Sequence, residues 1–169
     1  MIAAVVYPHQ LFSDMSWLRG IERVYLVEDP LFFRQYPFHR QKLMLHRASM
    51  RCYADQLRKK KHDVHYVEAH ELKVTGDMAT RLQQDGVTQA RCIDPEDFNL
   101  DRFMQRACSR CSIEWYTSPD PNFLTPVDLF PSFVGDKKKL FFTQFYIEQR
   151  QRLGILLERG GKPAGGKWS

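Results

Sequence analysis

Apolar runs rich in Val, Ile and Tyr recur along this chain with helical segments between them, and that alternation is the pattern of a parallel sheet covered on both faces. Five strands are expected, over residues 2–7, 24–28, 63–67, 89–93 and 112–116. The expected class is α/β, three layers deep, with helices on either side of a five-stranded parallel sheet.

The helical segments are unequal. Residues 40–60 carry Leu43, Met50 and Leu57 on one stripe with Tyr53 and Ala54 beside it, so one face should pack on the sheet. Lys59, Lys60 and Lys61 then suit its carboxyl end, where cations meet the negative pole of the helix dipole. Shorter helices are expected over 77–85, stopping at Gly86, and over 100–107. Between 120 and 136 the prolines, with Pro119 just before them, exclude continuous helix or central strand and imply a structured connector. Residues 138–158 read as a second long helix, with Phe142, Phe145, Tyr146, Leu153 and Leu156 on one side and Glu148, Arg150 and Arg152 on the other. The glycine-rich tail at 159–169 reads as a linker without regular structure.

A chain of 169 residues with 43% apolar content is long enough to bury a core as one domain. No apolar run approaches the ~18 residues of a membrane helix, and Met1 to Val6 lacks the basic start of a signal peptide. A cytoplasmic protein without membrane contact is expected. Twenty-five Lys and Arg against 20 Asp and Glu leave a charge of +5, compatible with a polyanionic partner but far short of a dedicated nucleic-acid module. Cys52, Cys92, Cys108 and Cys111 supply a single CxxC and no second pair at ligand spacing, which argues against a metal or iron–sulfur site on this segment. His39 and His46 are seven apart, whereas helical metal pairs want a spacing of about four.

Ligands of open parallel sheets sit beyond the carboxyl ends of the strands, at the crevice where strand order reverses. That selects Tyr7-Pro8-His9-Gln10-Leu11 after the first strand, Glu28 to Phe33 after the second, and Asp94-Pro95-Glu96 after the fourth. None carries a GxGxxG or GKS/GKT phosphate cradle. Flat aromatic surface with a few directional hydrogen-bonding groups suits a planar heterocycle such as a pterin or lumazine better than a triphosphate.

The strand Val24-Tyr25-Leu26-Val27-Glu28, the Phe32-Phe33-Arg34 step, and the runs from His39 to Leu43 and from His46 to Met50 resemble the amino-terminal domain of the deoxyribodipyrimidine photolyase-related proteins. These form the iron–sulfur bacterial branch of the photolyase and cryptochrome superfamily. Phe145-Tyr146, Arg150, the run from Arg152 to Leu156 and the tail from Pro163 to Ser169 resemble that family's exit from the same domain. The resemblance implies a Rossmann-like amino-terminal domain over 1–158, then a linker over 159–169 toward a flavin-binding catalytic domain absent from this chain. It implies that FAD and the iron–sulfur cluster belong to that absent domain, which would be the natural partner. It also implies an antenna chromophore here, 6,7-dimethyl-8-ribityllumazine in this branch.

The family's first loop commonly reads Gly-Asp-Gln-Leu, where Pro8-His9-Gln10-Leu11 stands here. Carried over by residue, the expected chromophore site comprises His9, Gln10, Leu11, Glu28, Phe32 and Phe33. Gln10 and Glu28 would hydrogen-bond the ring or its ribityl chain, and the two phenylalanines would pack on it. Each also has a plainer reading: His9 as a solvated loop residue, Glu28 as an acceptor for backbone N–H groups, and one phenylalanine as a core plug. Lys137, Lys138, Lys139, Arg150, Arg152 and Arg159 read either as a strip adding weak, nonspecific DNA affinity or as a solvated helix face. A standalone small-ligand or nucleotide-binding regulatory domain is the alternative to the antenna reading.

Overall fold

A computed structural model describes residues 1–136 and 138–168; Lys137 and Ser169, named above in the basic strip and the tail, lie outside the described residues. The chain divides into two compact units, Met1–Asp120 and a second beginning at Pro121.

The first unit holds β1 (Ile2–Val6), β2 (Arg23–Val27), β3 (Val64–Val67), β4 (Gln89–Ile93) and β5 (Glu114–Ser118), all parallel, in the order β3-β2-β1-β4-β5. Central β1 is apolar on both faces because both are covered, and Ala3 to Val6 are inaccessible to solvent. One face packs Ala3, Val5, Tyr25 and Val27 against α3 (Asp77–Gln84) and α4 (Phe98–Arg110). The opposite face packs Ala4, Val6, Val24 and Leu26 against α2 (Arg40–Lys59) through Met50, Tyr53, Ala54 and Leu57. Each such side chain, withdrawn from water, contributes on the order of 1.5–3 kcal/mol before the entropy of ordering is subtracted. The sheet is the expected five-stranded parallel one with helices on both faces.

Element boundaries follow local chemistry. His39 caps α2 through Nδ1, which accepts from the Gln41 N–H at 3.3 Å, and Arg58 and Lys59 lie in its last turn. At the end of α3, Gly86 takes a φ of +76° and the Val87 N–H reaches back to the Leu82 carbonyl, as the sequence led one to expect. α4 is longer than expected because the Asp97 carboxylate caps its start, accepting from the N–H groups of Asn99 and Leu100 at 2.9 Å. The fifth strand begins two residues late, at Glu114: Ser112 sits at a φ of +57° and Ile113 donates back to Cys108, so both belong to the turn leaving α4. A four-residue helix, α1 (Pro30–Phe33), follows β2, capped by Asp29 and opened by proline.

The second unit departs further from expectation. Residues 129–134 form α5 (Leu129–Val134) despite Pro131, which is tolerated in the first turn, where its missing N–H would have had no helical acceptor. The long helix expected over 138–158 is only α6 (Phe142–Leu153); Gly154, left-handed at φ +67°, ends it, with the Ile155 N–H bonded to the Arg150 carbonyl. Its sides are only partly as expected: Phe145 and Leu153 are half-buried and Arg152 is exposed, but Phe142 and Leu156 are exposed while Arg150 is buried. Nor is the tail formless. Leu157 pairs with Pro163, and Ala164–Gly166 form a 3-10 turn, because the Arg150 guanidinium donates to the carbonyls of Ile155, Leu156 and Trp168 between the rings of Tyr146 and Trp168.

Candidate functional site

Strand order reverses at β1, and the loops after β1 and β4 should therefore flank the crevice. They are stitched together instead. Gln10 Nε2 donates to the Ile93 carbonyl at 2.7 Å, while its Oε1 accepts from the Tyr7 N–H at 3.2 Å and from the Cys92 thiol. With its amide engaged and its side chain 1% exposed, Gln10 is a cross-strand tie. Beside it, His9 Nε2 donates to the Pro95 carbonyl at 3.0 Å and its ring lies 5.0 Å from that of Phe32. Partial burial lowers the His9 pKa despite that carbonyl, which favours the neutral ring. Leu11 is half-buried against the core on the α2 side.

Glu28 follows β2 directly and has no solvent exposure. Its Oε1 accepts from Arg47 Nε and the Tyr66 hydroxyl, both at 2.7 Å, and its Oε2 from Arg47 Nη2 and the Ala69 N–H. Burial pushes its pKa up, but these donors outweigh burial and hold the carboxyl below its ordinary value. Next to it, Asp29 Oδ1 caps α1 and accepts from the Thr75 hydroxyl at 2.8 Å, whereas buried Oδ2 has no partner among the described residues. Burial raises the Asp29 pKa to about 6, in spite of the Leu31 and Thr75 donors. The Tyr7 hydroxyl is likewise buried without a partner among the described residues, and burial followed by the Asp29 charge raises its pKa well above the usual value.

Open space lies beyond β2 and β3. A cleft of about 660 Å³ is lined by Phe33, Arg34, Leu43, Met44, Arg47, Glu68, Ala69 and His70. Of the six residues expected at the site, Phe33 alone lines it. Glu28 stands behind Arg47 and orients it; His9 and Phe32 form an aromatic group with Tyr7, outside the lining. Phe33 is a floor with Arg47 on one side and His46 6.1 Å from its ring. Apolar Phe33, Leu43, Met44 and Ala69 thus share the cleft with the guanidinium groups of Arg34 and Arg47.

Arg47, Arg34 and Tyr66 escaped the sequence reading. For Arg47 a signal existed: it interrupts the stripe Leu43, Met50, Ala54, Leu57 at the sheet-facing spacing, and a cation there implies a buried anion opposite. Tyr66 lies on the edge strand β3 and becomes a partner of Glu28 only through the register that sets it beside Leu26.

Residues 4–169 match the pattern of the deoxyribodipyrimidine photo-lyase-related proteins. The chain belongs to that family. Among its relatives, an uncharacterized protein of Acanthamoeba polyphaga mimivirus is 33% identical over 184 residues, covering 98% of this chain and 89% of the viral one. A (6-4) photolyase of Agrobacterium fabrum is 25% identical over 135 residues, covering 78% of this chain but 26% of the enzyme. The family member described here therefore spans about a quarter of that photolyase's length. Among the described residues no helix is long and apolar enough to cross a membrane, and no three His, Cys, Asp or Glu side chains gather as a metal site.

The basic strip is only partly at the surface. Arg150 is spent on the tail, and Arg152 donates to Gln149 and to the Leu124 carbonyl, while Lys138, Lys139 and Arg159 are exposed.

Proposed function

We propose that this chain is the antenna-chromophore domain of a photolyase-related protein of the iron–sulfur bacterial branch. Its role is optical: it holds a planar heterocycle, with 6,7-dimethyl-8-ribityllumazine as the first candidate, and passes excitation to a flavin. FAD, the iron–sulfur cluster and lesion recognition belong in this reading to a flavin-binding catalytic domain outside this sequence, and DNA meets this domain only weakly. The setting is cytoplasmic. The observation that carries the reading is the Phe33-floored cleft beyond β2 and β3, with Arg47 held over it by Glu28. Membership of the photolyase-related family supports it.

The test is titration of the purified chain with the lumazine, followed by fluorescence anisotropy, together with a photorepair assay on damaged DNA under blue light. Saturable binding with immobilised ring emission and no repair is expected; robust repair, or no saturable binding, refutes the reading. A standalone small-ligand or nucleotide-binding regulatory domain is the second reading, favoured by the mimivirus relative being covered over 89% of its length. Under it, mononucleotides saturate the cleft and the lumazine does not.

A further inference from the structure

The two arginines that line the cleft are not equivalent. Arg47 pairs with Glu28, and Arg51, one turn further along α2, pairs with Glu68. Arg34 has no carboxylate partner among the described residues. Its Nη1 instead donates to the carbonyls of Ala69 and Leu72, both at 3.2 Å, which fixes the guanidinium against the β3–α3 connection and leaves Nε and Nη2 without a partner among the described residues. A guanidinium held by carbonyls alone keeps its full charge and its fork for an anion, and planar, bidentate anion recognition is what such a fork does best.

Its position specifies which anion. Arg34 lines the Phe33 cleft and also an adjoining hollow of about 310 Å³, whose other lining includes Gln35, Lys73 and Thr75. The carboxylate lining the cleft is Glu68, and it is engaged by Arg51 and lies 3.4 Å from His70. One rim therefore carries two cations without carboxylate partners among the described residues, Arg34 and Lys73, beside a floor suited to a ring. Both side chains are exposed, and a ribityl chain, bearing only hydroxyls, would leave them to solvent. We propose that the ligand carries a phosphate monoester on its tail, received by Arg34 with Lys73, while the ring lies against Phe33. This rests on the reading of the cleft as a ring-binding site and adds the charge of the tail.

The experiment compares riboflavin with riboflavin 5′-phosphate, alongside the lumazine, on the full chain by fluorescence quenching. Binding of the phosphate ester about tenfold tighter than riboflavin is expected, with competition by inorganic phosphate and weakening by salt. Arg34→Gln, which keeps a donor for the backbone carbonyls, and Lys73→Ala should each bring the ratio toward one. Equal binding of both flavins to the unsubstituted chain, or a ratio that survives both substitutions, overturns the phosphate assignment and leaves the ring site standing. Absence of binding by the flavins and the lumazine alike refutes the ring site itself, and the phosphate assignment with it.

Discussion

Arg47 on α2 and Glu28 at the end of β2 meet as a two-pronged ion pair, Nε to Oε1 at 2.7 Å and Nη2 to Oε2, with the carboxylate sealed from solvent and the guanidinium about half exposed. The pair joins the sheet to the start of the helix that walls the cleft. It also turns a buried charge, which alone would be costly, into an orienting device for Arg47.

Arg47→Ala should therefore destabilise the chain by about 2–3 kcal/mol, at the low end for a broken buried pair because Arg47 remains in contact with water. Glu28, left with Tyr66 and the Ala69 N–H, would bind its proton more tightly in the folded than in the unfolded state. Stability lost to the substitution should consequently grow as pH rises from 4 to 8. Urea midpoints at both pH values check this, and a deficit independent of pH would mean that Glu28 keeps its charge without Arg47.

Asp29 has the opposite sign. Its native pKa is raised to about 6, against about 3.9 in an unfolded chain, so between those values the folded state holds the extra proton. The Asp29 contribution to stability is then fully present below about pH 4 and is lost as pH rises through 6, a change of about 3 kcal/mol. Asp29→Asn keeps an oxygen for Leu31 and Thr75 but cannot ionise. Relative to the unsubstituted chain, its stability should improve by about that amount between pH 4 and pH 8, as measured by urea unfolding at each pH.

Two neighbours in the first loop should behave differently. Gln10→Leu preserves volume but strands the buried Tyr7 N–H and relieves the Ile93 carbonyl of its donor, at a cost of about 2–3 kcal/mol. His9→Ala removes one partly exposed bond to Pro95 and should cost under about 1 kcal/mol. Thermal melts of both variants separate a structural tie from a loop contact; equal losses would contradict the assignment.

Arg150→Ala should release the segment 154–168 by deleting the donor shared by three of its carbonyls. Amide exchange over that segment is expected to accelerate by about tenfold or more while α2 and the sheet stay protected. Arg150→Lys should not restore protection, because a point ammonium cannot span three acceptors while stacked between two rings.

The parallel sheet was legible because burial on both faces demands continuous apolar strands, and the α2 stripe and the Gly86 stop were legible because both are set by near neighbours in the chain. The same locality explains the errors. A stripe of Phe142, Phe145, Tyr146, Leu153 and Leu156 looks like a buried face, yet Gly154 ends the helix and Arg150 becomes the buried residue once the tail folds back onto it.

What the sequence alone determined is the five strands, their parallel arrangement, the helices α2 to α4 and the placing of Gln10, Glu28 and Phe33 in the segments that follow strands, since period and turn chemistry act over a few residues. Tertiary structure decided which of these groups remain available to a ligand. Gln10 meets Ile93 across 83 residues, Glu28 meets Tyr66 across 38, and Arg34 finds Leu72 across 38. Such partners are assigned by strand order, register and helix docking. A polar side chain is free for a ligand only where that long-range geometry leaves it unsatisfied, as it does, among the described residues, for Nε and Nη2 of Arg34.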